Sequence, residues 1–344
     1  ALAARDDVRS HRILPVDLVS VAPPEDLAAA LPPAFALVVG NAAAERDWDA
    51  LLSIAWTVPA GYDGPLLYVV HDLTFLSHPE LHTLENRVHC TEGILRAVIA
   101  GATFLCVSEA TASELVRLLG VDRNRIEVCH LAPVPELAPL EPADARERVG
   151  TLCPLASCVD GWVLAVGTFE PRKNLLRLLD AHRSLPDRLR LRHPLVVVGG
   201  GGWRNGALVA RLDEEAQAGL VHVVGQSLDT GDLAALYSGA AVFVYPSLAE
   251  GFGLPVVEAM ACGAPVITSD RSSMPEVAGG AARLVDPDDT ESITQALEGL
   301  LDNPTERERM RQEGLQRAAD FSWDRTAQRV FEILEKLASQ RPDR

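Results

Sequence analysis

Short apolar runs alternate with helix-like segments along the second half of the chain, and this alternation limits the folds available to it. The helix-like segments carry apolar residues at three- and four-residue steps: Asn174–Leu185, Ala207–Ala218, Thr230–Ser238, Leu254–Cys262 and Thr290–Asn303. The apolar runs between them are Trp162–Gly167, Leu195–Gly199, Val221–Gly225, Ala241–Tyr245, Pro265–Thr268 and Arg283–Val285. Strands that alternate with crossover helices are typical of a parallel sheet. The pattern predicts an α/β, Rossmann-like domain.

The first half of the chain predicts a second domain of the same kind. Its strand candidates are Arg9–Leu14, Phe35–Val39, Leu66–Val70, Thr103–Val107 and Ile126–Cys129, with helices over 45–56, 84–100 and 109–119. The Pro- and Ala-rich segment 131–160 has the composition of an interdomain connection. We therefore predict domains over 1–145 and 146–322. A last helix, within 323–344, is predicted to pack back on the first domain.

Composition limits the partners of the chain. Its 344 residues carry a net charge of −17, which disfavours nucleic acid and anionic lipid as partners. The six cysteines lack the spacing of zinc or redox sites, so we expect reduced core side chains in a cytoplasmic protein. No apolar stretch reaches the roughly 20 residues that span a bilayer, which leaves peripheral contact with the plasma membrane open.

Glu250 and Glu258 frame a glycine-rich turn that follows the apolar run at 241–245. Glycine lets the backbone approach a ligand, and Pro255 suits the first turn of a helix. The N-terminus of that helix would face the turn and favour phosphate. Both carboxylates could then accept hydrogen bonds from sugar hydroxyls. A Gly/Pro turn with solvated acids is the alternative interpretation.

A second candidate loop, 167–174, places Arg172 and Lys173 just before a predicted helix. Arginine binds phosphate oxygens in bidentate fashion, and lysine supplies a mobile charge that can neutralise a leaving phosphate. The pair therefore predicts a diphosphate site. A solvent-exposed Arg-Lys pair is the alternative.

Together, the two loops resemble signatures of the retaining glycosyltransferases of family 4. Supporting segments occur in the family's order, at 70–73, 106–111, 195–202 and 221–226, so the resemblance covers about residues 35–335. It implies the GT-B fold, in which two Rossmann-like domains with parallel sheets face a central cleft. It also implies transfer of a sugar from a nucleotide-diphosphate sugar to an acceptor hydroxyl, without a metal or other cofactor.

The resemblance also implies roles for individual residues. Arg172 and Lys173 would hold the diphosphate, Glu250 the hydroxyls of the donor sugar, and His71 would contact the sugar near the reacting centre. A histidine after a strand can equally be structural. Glu258 would bind the ribose hydroxyls. The other residues predicted to bind the donor are Phe252, Gly253, Leu254, Gly199, Gly200, Val224 and Gln226, and those predicted on the acceptor side are Asp72 and Asn41.

Two features depart from the family's pattern. Thr168 stands where many relatives have arginine, so Arg172 and Lys173 must carry the phosphate charge, as they do in the Glu-Pro-Arg-Lys-Asn subtype. No segment matches the strand and glycine-rich loop with which the family normally begins. The chain starts without methionine on residues that resemble a helix end, so we expect that this segment is unobserved, removed or absent.

The subtype makes GDP-mannose the first expected donor, with UDP-glucose, UDP-N-acetylglucosamine and deoxysugar nucleotides as alternatives. A glycan, a lipid-linked glycan or a small molecule could serve as acceptor. Two other functions stay open. A GT-B epimerase or phosphorylase would share the fold and phosphate loops, and a noncatalytic nucleotide-sugar-binding subunit would fit the missing first loop.

Overall fold

The computed structural model describes residues 13–14, 50–54, 56–58, 62–153, 160–225 and 228–340. Their strands form two parallel sheets. The described residues up to Leu131, together with those from Trp323, make up one compact unit, and the described residues of Ala132–Ser322 make up the other. Each unit is α/β, as the sequence predicts.

The first unit has a sheet whose strands lie side by side in chain order. The strands are β1 Ile13–Leu14, β2 Leu51–Ser53, β3 Leu66–Val70, β4 Thr103–Cys106 and β5 Ile126–Val128. Its helices are Thr74–Ser77, Leu84–Ile99, Glu109–Leu119 and Trp323–Ser339, with short 3₁₀ turns at Pro79–Leu81 and Arg123–Arg125. All residues of β3 are buried, because structure covers both faces of the sheet.

One predicted helix in this unit is wrong. Where the sequence predicts a helix over 45–56, the described residues contain β2, which pairs with β1 and β3. Leu51, Leu52 and Ile54 satisfy a helical period, but a short apolar run fits a buried strand equally well. Every residue of β2 is buried, which fits a strand inside a sheet that is covered on both faces. The strand candidate at 35–39, most of the one at 9–14, and Asn41 lie outside the described residues.

The last helix, Trp323–Ser339, belongs to the first unit. The Thr326 hydroxyl donates to the carbonyl oxygen of His130 at 2.8 Å, and Arg329 Nη2 lies 2.6 Å from Glu127 Oε2. These contacts fix the helix next to the end of β5. Its buried side chains are Ala327, Val330, Phe331, Ile333 and Leu334.

The second unit has a six-stranded parallel sheet in which the order of the strands reverses at the middle. Its strands are β6 Trp162–Val166, β7 Leu195–Val198, β8 Val221–Val224, β9 Ala240–Tyr245, β10 Val266–Ser269 and β11 Arg283–Val285. The spatial order is β11-β10-β9-β6-β7-β8. From β6 the chain adds two strands on one side and then returns to add three on the other. The crevice at such a switch point, outside the carboxyl ends of the strands, is where open α/β sheets bind ligands.

Helices cover this sheet. They are Pro142–Leu152, Leu175–Arg183, Asp187–Arg190, Gly206–Gln217, Thr230–Ser238, Leu254–Ala261, Met274–Ala278, Thr290–Leu301 and Pro304–Ala318. None of the helices in the described ranges combines the length and apolar character needed to cross a bilayer. The cysteines that the structure describes are buried and free, as expected of core side chains: Cys90, Cys106, Cys129, Cys153 and Cys262.

The predicted connection at 131–160 contains a helix, Pro142–Leu152, that belongs to the second unit. Arg148 anchors it, with Nε 2.6 Å from Asp232 Oδ1 and Nη2 2.5 Å from Asp229 Oδ1. The two compact units divide between Leu131 and Ala132, whereas a boundary at 145/146 would pass through this helix. The prolines of the segment indicated an irregular connection. A helix can nevertheless begin at a proline, because the first backbone N–H of a helix has no partner within it.

Candidate active site

Two loops meet at the switch point of the second unit. Residues 167–174 follow β6, and residues 246–250 follow β9, the neighbouring strand. Their backbones are joined, because Leu248 N donates to the carbonyl oxygen of Arg172 at 2.9 Å. The sequence predicted that both loops carry site residues, and the fold brings them together.

Asn174 fastens these loops, a role that the sequence analysis missed. Its backbone is left-handed, with φ 58° and ψ 30°, a conformation that asparagine tolerates better than most residues. Its side-chain amide donates to the carbonyl oxygens of Pro246 at 3.1 Å and Pro287 at 2.7 Å. Asn174 therefore links the ends of three strands. Asparagine directly after a cation pair and before a helix was the available signal.

Arg172 and Lys173 converge on one carboxylate. Lys173 Nζ lies 2.7 Å from Glu250 Oε1, and Arg172 Nη1 pairs with Glu250 Oε2 while also donating to the carbonyl oxygen of Ala249 at 3.0 Å. The Glu250 residue is only 7% exposed, and both cationic side chains are 11% exposed. In this structure, both oxygens of Glu250 are therefore engaged by the cations.

Two further residues complete the cluster and were not predicted. Tyr245, the last residue of β9, accepts from Lys173 Nζ at 2.5 Å and donates to Glu250 Oε1 at 2.9 Å. Glu170, 2% exposed, accepts from Arg172 Nη2 at 2.7 Å. The cluster thus holds two cations between two carboxylates. Glu170 and Tyr245 look unremarkable in sequence, as one acid in a turn and one aromatic residue in an apolar strand.

The cluster shifts the pKa values of its members. Burial alone would raise the pKa of Glu250, but the charges of Lys173 and Arg172 outweigh it and lower the pKa to about 2. Burial would lower the pKa of Lys173, yet the Glu250 carboxylate and Tyr245 raise it. Burial and the nearby Glu250 charge raise the pKa of Tyr245 to about 12. At neutral pH, Lys173 and Glu250 are therefore a charged, buried ion pair.

Glu250→Gln should cost about 3 kcal/mol of unfolding free energy at pH 7, because the folded pKa lies well below the usual 4.5. A depressed carboxylate pKa stabilises the fold above the unfolded value, and this contribution is lost as pH falls through about 2. Urea unfolding of both proteins should give a difference that is constant above pH 5 and shrinks toward pH 2. Glu313→Gln, in an exposed pair with Arg309, should stay within about 0.5 kcal/mol of wild type. A difference that does not change with pH would contradict the assignment.

The turn that follows Glu250 is held by two serines from the loop after β10. Ser273 Oγ donates to the carbonyl oxygens of Glu250 and Phe252, both at 3.0 Å, and Ser272 Oγ donates to that of Glu250 at 2.5 Å. Gly253 has φ 92° and caps the helix Leu254–Ala261. The predicted donor-binding turn, with Phe252, Gly253 and Leu254, is therefore fixed at a helix N-terminus.

Glu258 lies on the helix Leu254–Ala261 and is half-buried. The buried Tyr237 hydroxyl donates to Glu258 Oε2 at 3.2 Å. Burial raises the pKa of Glu258, and this hydrogen bond partly opposes the rise. One carboxylate oxygen is thus oriented by Tyr237, a residue that the sequence analysis did not single out.

A cavity of about 330 Å³ opens beyond the ends of β6, β7 and β8. Gly199 and Gly200, two of the residues predicted to bind the donor, line it together with Asp229 and Thr230, which were not predicted. Val224 is buried, and its carbonyl oxygen accepts from Gly199 N at 3.1 Å. Gln226 lies outside the described residues.

His71 and Asp72 follow β3 in the first unit. His71 is exposed, and its Nε2 lies 3.0 Å from the carbonyl oxygen of Ile54. Asp72 Oδ1 accepts from Thr74 N at 2.9 Å and from Thr74 Oγ1 at 2.6 Å. Asp72 therefore closes the turn that begins the helix Thr74–Ser77.

Comparisons with known proteins agree with this architecture. Residues 160–317 match the family model of glycosyl transferases group 1. The chain is 34% identical over 273 residues to the O-antigen chain mannosyltransferase B of Escherichia coli, covering 76% of this chain and 71% of that protein. It is 31% identical over 240 residues to the serotype-specific mannosyltransferase WbdA of Escherichia coli, covering 69% of this chain and 29% of WbdA. HepE of Anabaena, solved in complex with UDP-glucose, aligns with a TM-score of 0.74 at 16% identity, covering 94% of this chain and 99% of that one.

The two parallel-sheet units have the GT-B fold of solved glycosyltransferases. The chain belongs to the group 1 glycosyl transferases, which confirms the family resemblance of its motifs.

Proposed function

We propose that this glycosyltransferase moves mannose from GDP-mannose to a hydroxyl of a glycan or glycoconjugate acceptor, with retention of anomeric configuration and without a metal ion. Two relatives that align with most of this chain are named mannosyltransferases, and the name of one refers to O-antigen chains. The proposed setting is therefore polysaccharide biosynthesis in the cytoplasm.

The observation that carries the proposal is the convergence of Lys173 Nζ and Arg172 Nη1 on the two oxygens of Glu250. Hydrogen-bond donors that are placed to bind two oxygens of a carboxylate can equally bind two oxygens of a diphosphate. The cluster lies at the switch point, where α/β sheets bind ligands. The diphosphate would displace the Glu250 carboxylate from the two cations. The carboxylate could then accept hydrogen bonds from the hydroxyls of the donor sugar.

The cations would also supply the catalysis. Negative charge gathers on the diphosphate as the glycosidic bond breaks, and fixed positive groups stabilise that charge. The N-terminus of the helix Leu254–Ala261 adds a partial positive charge. A phosphate oxygen would take the proton of the attacking acceptor hydroxyl on the same face of the sugar, which retains the configuration.

The remaining parts of the donor have candidate places in the second unit. Glu258, oriented by Tyr237, would bind the ribose hydroxyls, and the cavity beside Gly199 and Gly200 would receive the base. His71 and Asp72 are proposed for the acceptor side, because both follow a strand of the first unit.

A donor panel tests the function. The chain would be incubated with GDP-mannose, UDP-glucose or UDP-N-acetylglucosamine, and with mannose-terminated oligosaccharides as acceptors. We expect acceptor-dependent release of GDP that EDTA does not reduce, and a new α-mannosyl linkage by NMR. If the enzyme transferred sugar from a UDP-sugar but not from GDP-mannose, the proposed donor would be refuted. A β-linkage in the product would refute retention.

The same experiment separates the alternative functions. An isomerised nucleotide sugar formed without acceptor would indicate an epimerase. Calorimetric binding of donor with no turnover on any acceptor would favour a noncatalytic subunit.

A further inference from the structure

Glu170 is a buried carboxylate that lies beside both cations of the candidate site. Its Oε1 accepts from Arg172 Nη2 at 2.7 Å and lies 3.8 Å from Lys173 Nζ. Its other oxygen, Oε2, is buried and accepts no hydrogen bond from any residue that the structure describes. A buried polar atom without a partner is unfavourable for folding. Stability alone therefore does not explain this carboxylate.

Glu170 is fixed at the base of the cluster. Its backbone N donates to the carbonyl oxygen of Thr168 at 3.0 Å, and its own carbonyl oxygen accepts from Lys173 N at 3.1 Å. Arg172 binds Glu170 through Nη2 and Glu250 through Nη1. A diphosphate can therefore displace Glu250 from Nη1 and leave the contact with Glu170 intact.

The charges of the cluster change when Glu250 is displaced. Without a ligand, two cations face two carboxylates, so the cluster is neutral. With Glu250 displaced, Arg172 and Lys173 keep only Glu170 as a counter-charge, and a single net positive charge faces the diphosphate. The nucleotide diphosphate left after transfer carries more negative charge than the sugar nucleotide, because its terminal phosphate has lost the sugar and ionises further. The site is therefore less well matched to the product.

We propose that Glu170 is a specificity-determining residue that weakens the binding of the product nucleotide diphosphate relative to the donor, and so speeds product release. The inference rests on the proposed transfer from a nucleotide-diphosphate sugar at this site. Like charges repel strongly over a few ångströms where little water separates them. Because this repulsion grows with the charge of the ligand, Glu170 raises the free energy of bound product more than that of bound donor.

Two substitutions separate the charge of Glu170 from its shape. Glu170→Gln removes the charge and keeps an oxygen that can accept from Arg172. We expect calorimetry to show about tenfold tighter binding of GDP, a smaller gain for GDP-mannose, and stronger inhibition of turnover by GDP. Glu170→Asp keeps the charge and shortens the side chain, so its affinity for GDP should stay within about threefold of wild type. A residue that only held Arg172 in place would give the reverse order.

Glu215→Gln is the matched control. Glu215 is also a buried carboxylate of the second unit, and it accepts from Arg211 Nε at 2.8 Å. It lies near the end of the helix Gly206–Gln217, which runs back from β7 to the start of β8 and so away from the switch-point loops. Removal of either buried charge should lower the unfolding temperature. Only Glu170→Gln should change the affinity for GDP.

The outcomes separate this inference from the proposed function. Unchanged or weaker binding of GDP by Glu170→Gln, beside normal binding by wild type, would overturn the inference and leave the proposed function standing. If Glu170→Gln does not fold, Glu170→Asp decides, because a loss of about tenfold in its affinity for GDP would show a role in holding Arg172. A wild-type chain that binds UDP but not GDP would refute the mannosyl donor, and the same variants would then be compared with UDP. A chain that binds neither would overturn both proposals.

Discussion

Lys173→Met is expected to lower kcat by about 10²- to 10³-fold, the usual cost of removing one preorganised group that stabilises developing charge. Methionine keeps much of the length and apolar contact of the lysine stem. It removes the ammonium that lies 2.7 Å from Glu250 and 2.5 Å from the Tyr245 hydroxyl. Steady-state assays with GDP-mannose and acceptor would measure the loss.

Arg188→Met is the control for this experiment. Arg188 also pairs with a carboxylate of the second unit, Asp302, but its side chain is 58% exposed and it belongs to neither switch-point loop. Its activity should stay within twofold of wild type. Lys173→Met with activity within threefold of wild type would refute the role of the cation pair, provided that circular dichroism shows a native fold.

Gly199→Ala is expected to destabilise the second unit by about 3 kcal/mol and to abolish donor binding. Gly199 has φ 149°, and a Cβ there would lie 1.9 Å from the carbonyl oxygen of Gly167. The added methyl group must push the loops after β6 and β7 apart, and these loops line the cavity proposed for the base. Denaturant unfolding and calorimetry with GDP would show both effects.

Gly299→Ala should act in the opposite direction. Gly299 is exposed in the interior of the helix Thr290–Leu301, and nothing lies within 4 Å of a Cβ built there. Alanine at such a position should stabilise the protein by about 0.5–1 kcal/mol without affecting GDP binding. Equal effects of the two substitutions would contradict the close approach of the two loops.

The sequence predicted the second unit well because each strand there is a separate apolar run followed by a helix. Position in the sheet was not predictable, since the switch between β6 and β9 depends on pairing between distant segments. The strand at Leu51–Ser53 was read as a helix, because a short apolar run fits both periods.

The candidate site was only partly predictable. Arg172, Lys173 and Glu250 belong to recognisable motifs, and the structure brings them into contact. Glu170 and Tyr245 act through hydrogen bonds that depend on how the loops fold back on β9. No local pattern marks an acid or a tyrosine for such a contact.

The carboxylates that cover Arg172 and Lys173 have a consequence for selectivity. Free phosphate or sulfate would have to displace Glu250, which is tethered beside the cations at high effective concentration. A whole nucleotide sugar would displace it, because its base and ribose would gain the contacts proposed for them elsewhere in the unit. Glu250 would then compete with small anions for the cations, and we expect the enzyme to tolerate phosphate buffers that inhibit sites with uncovered cations.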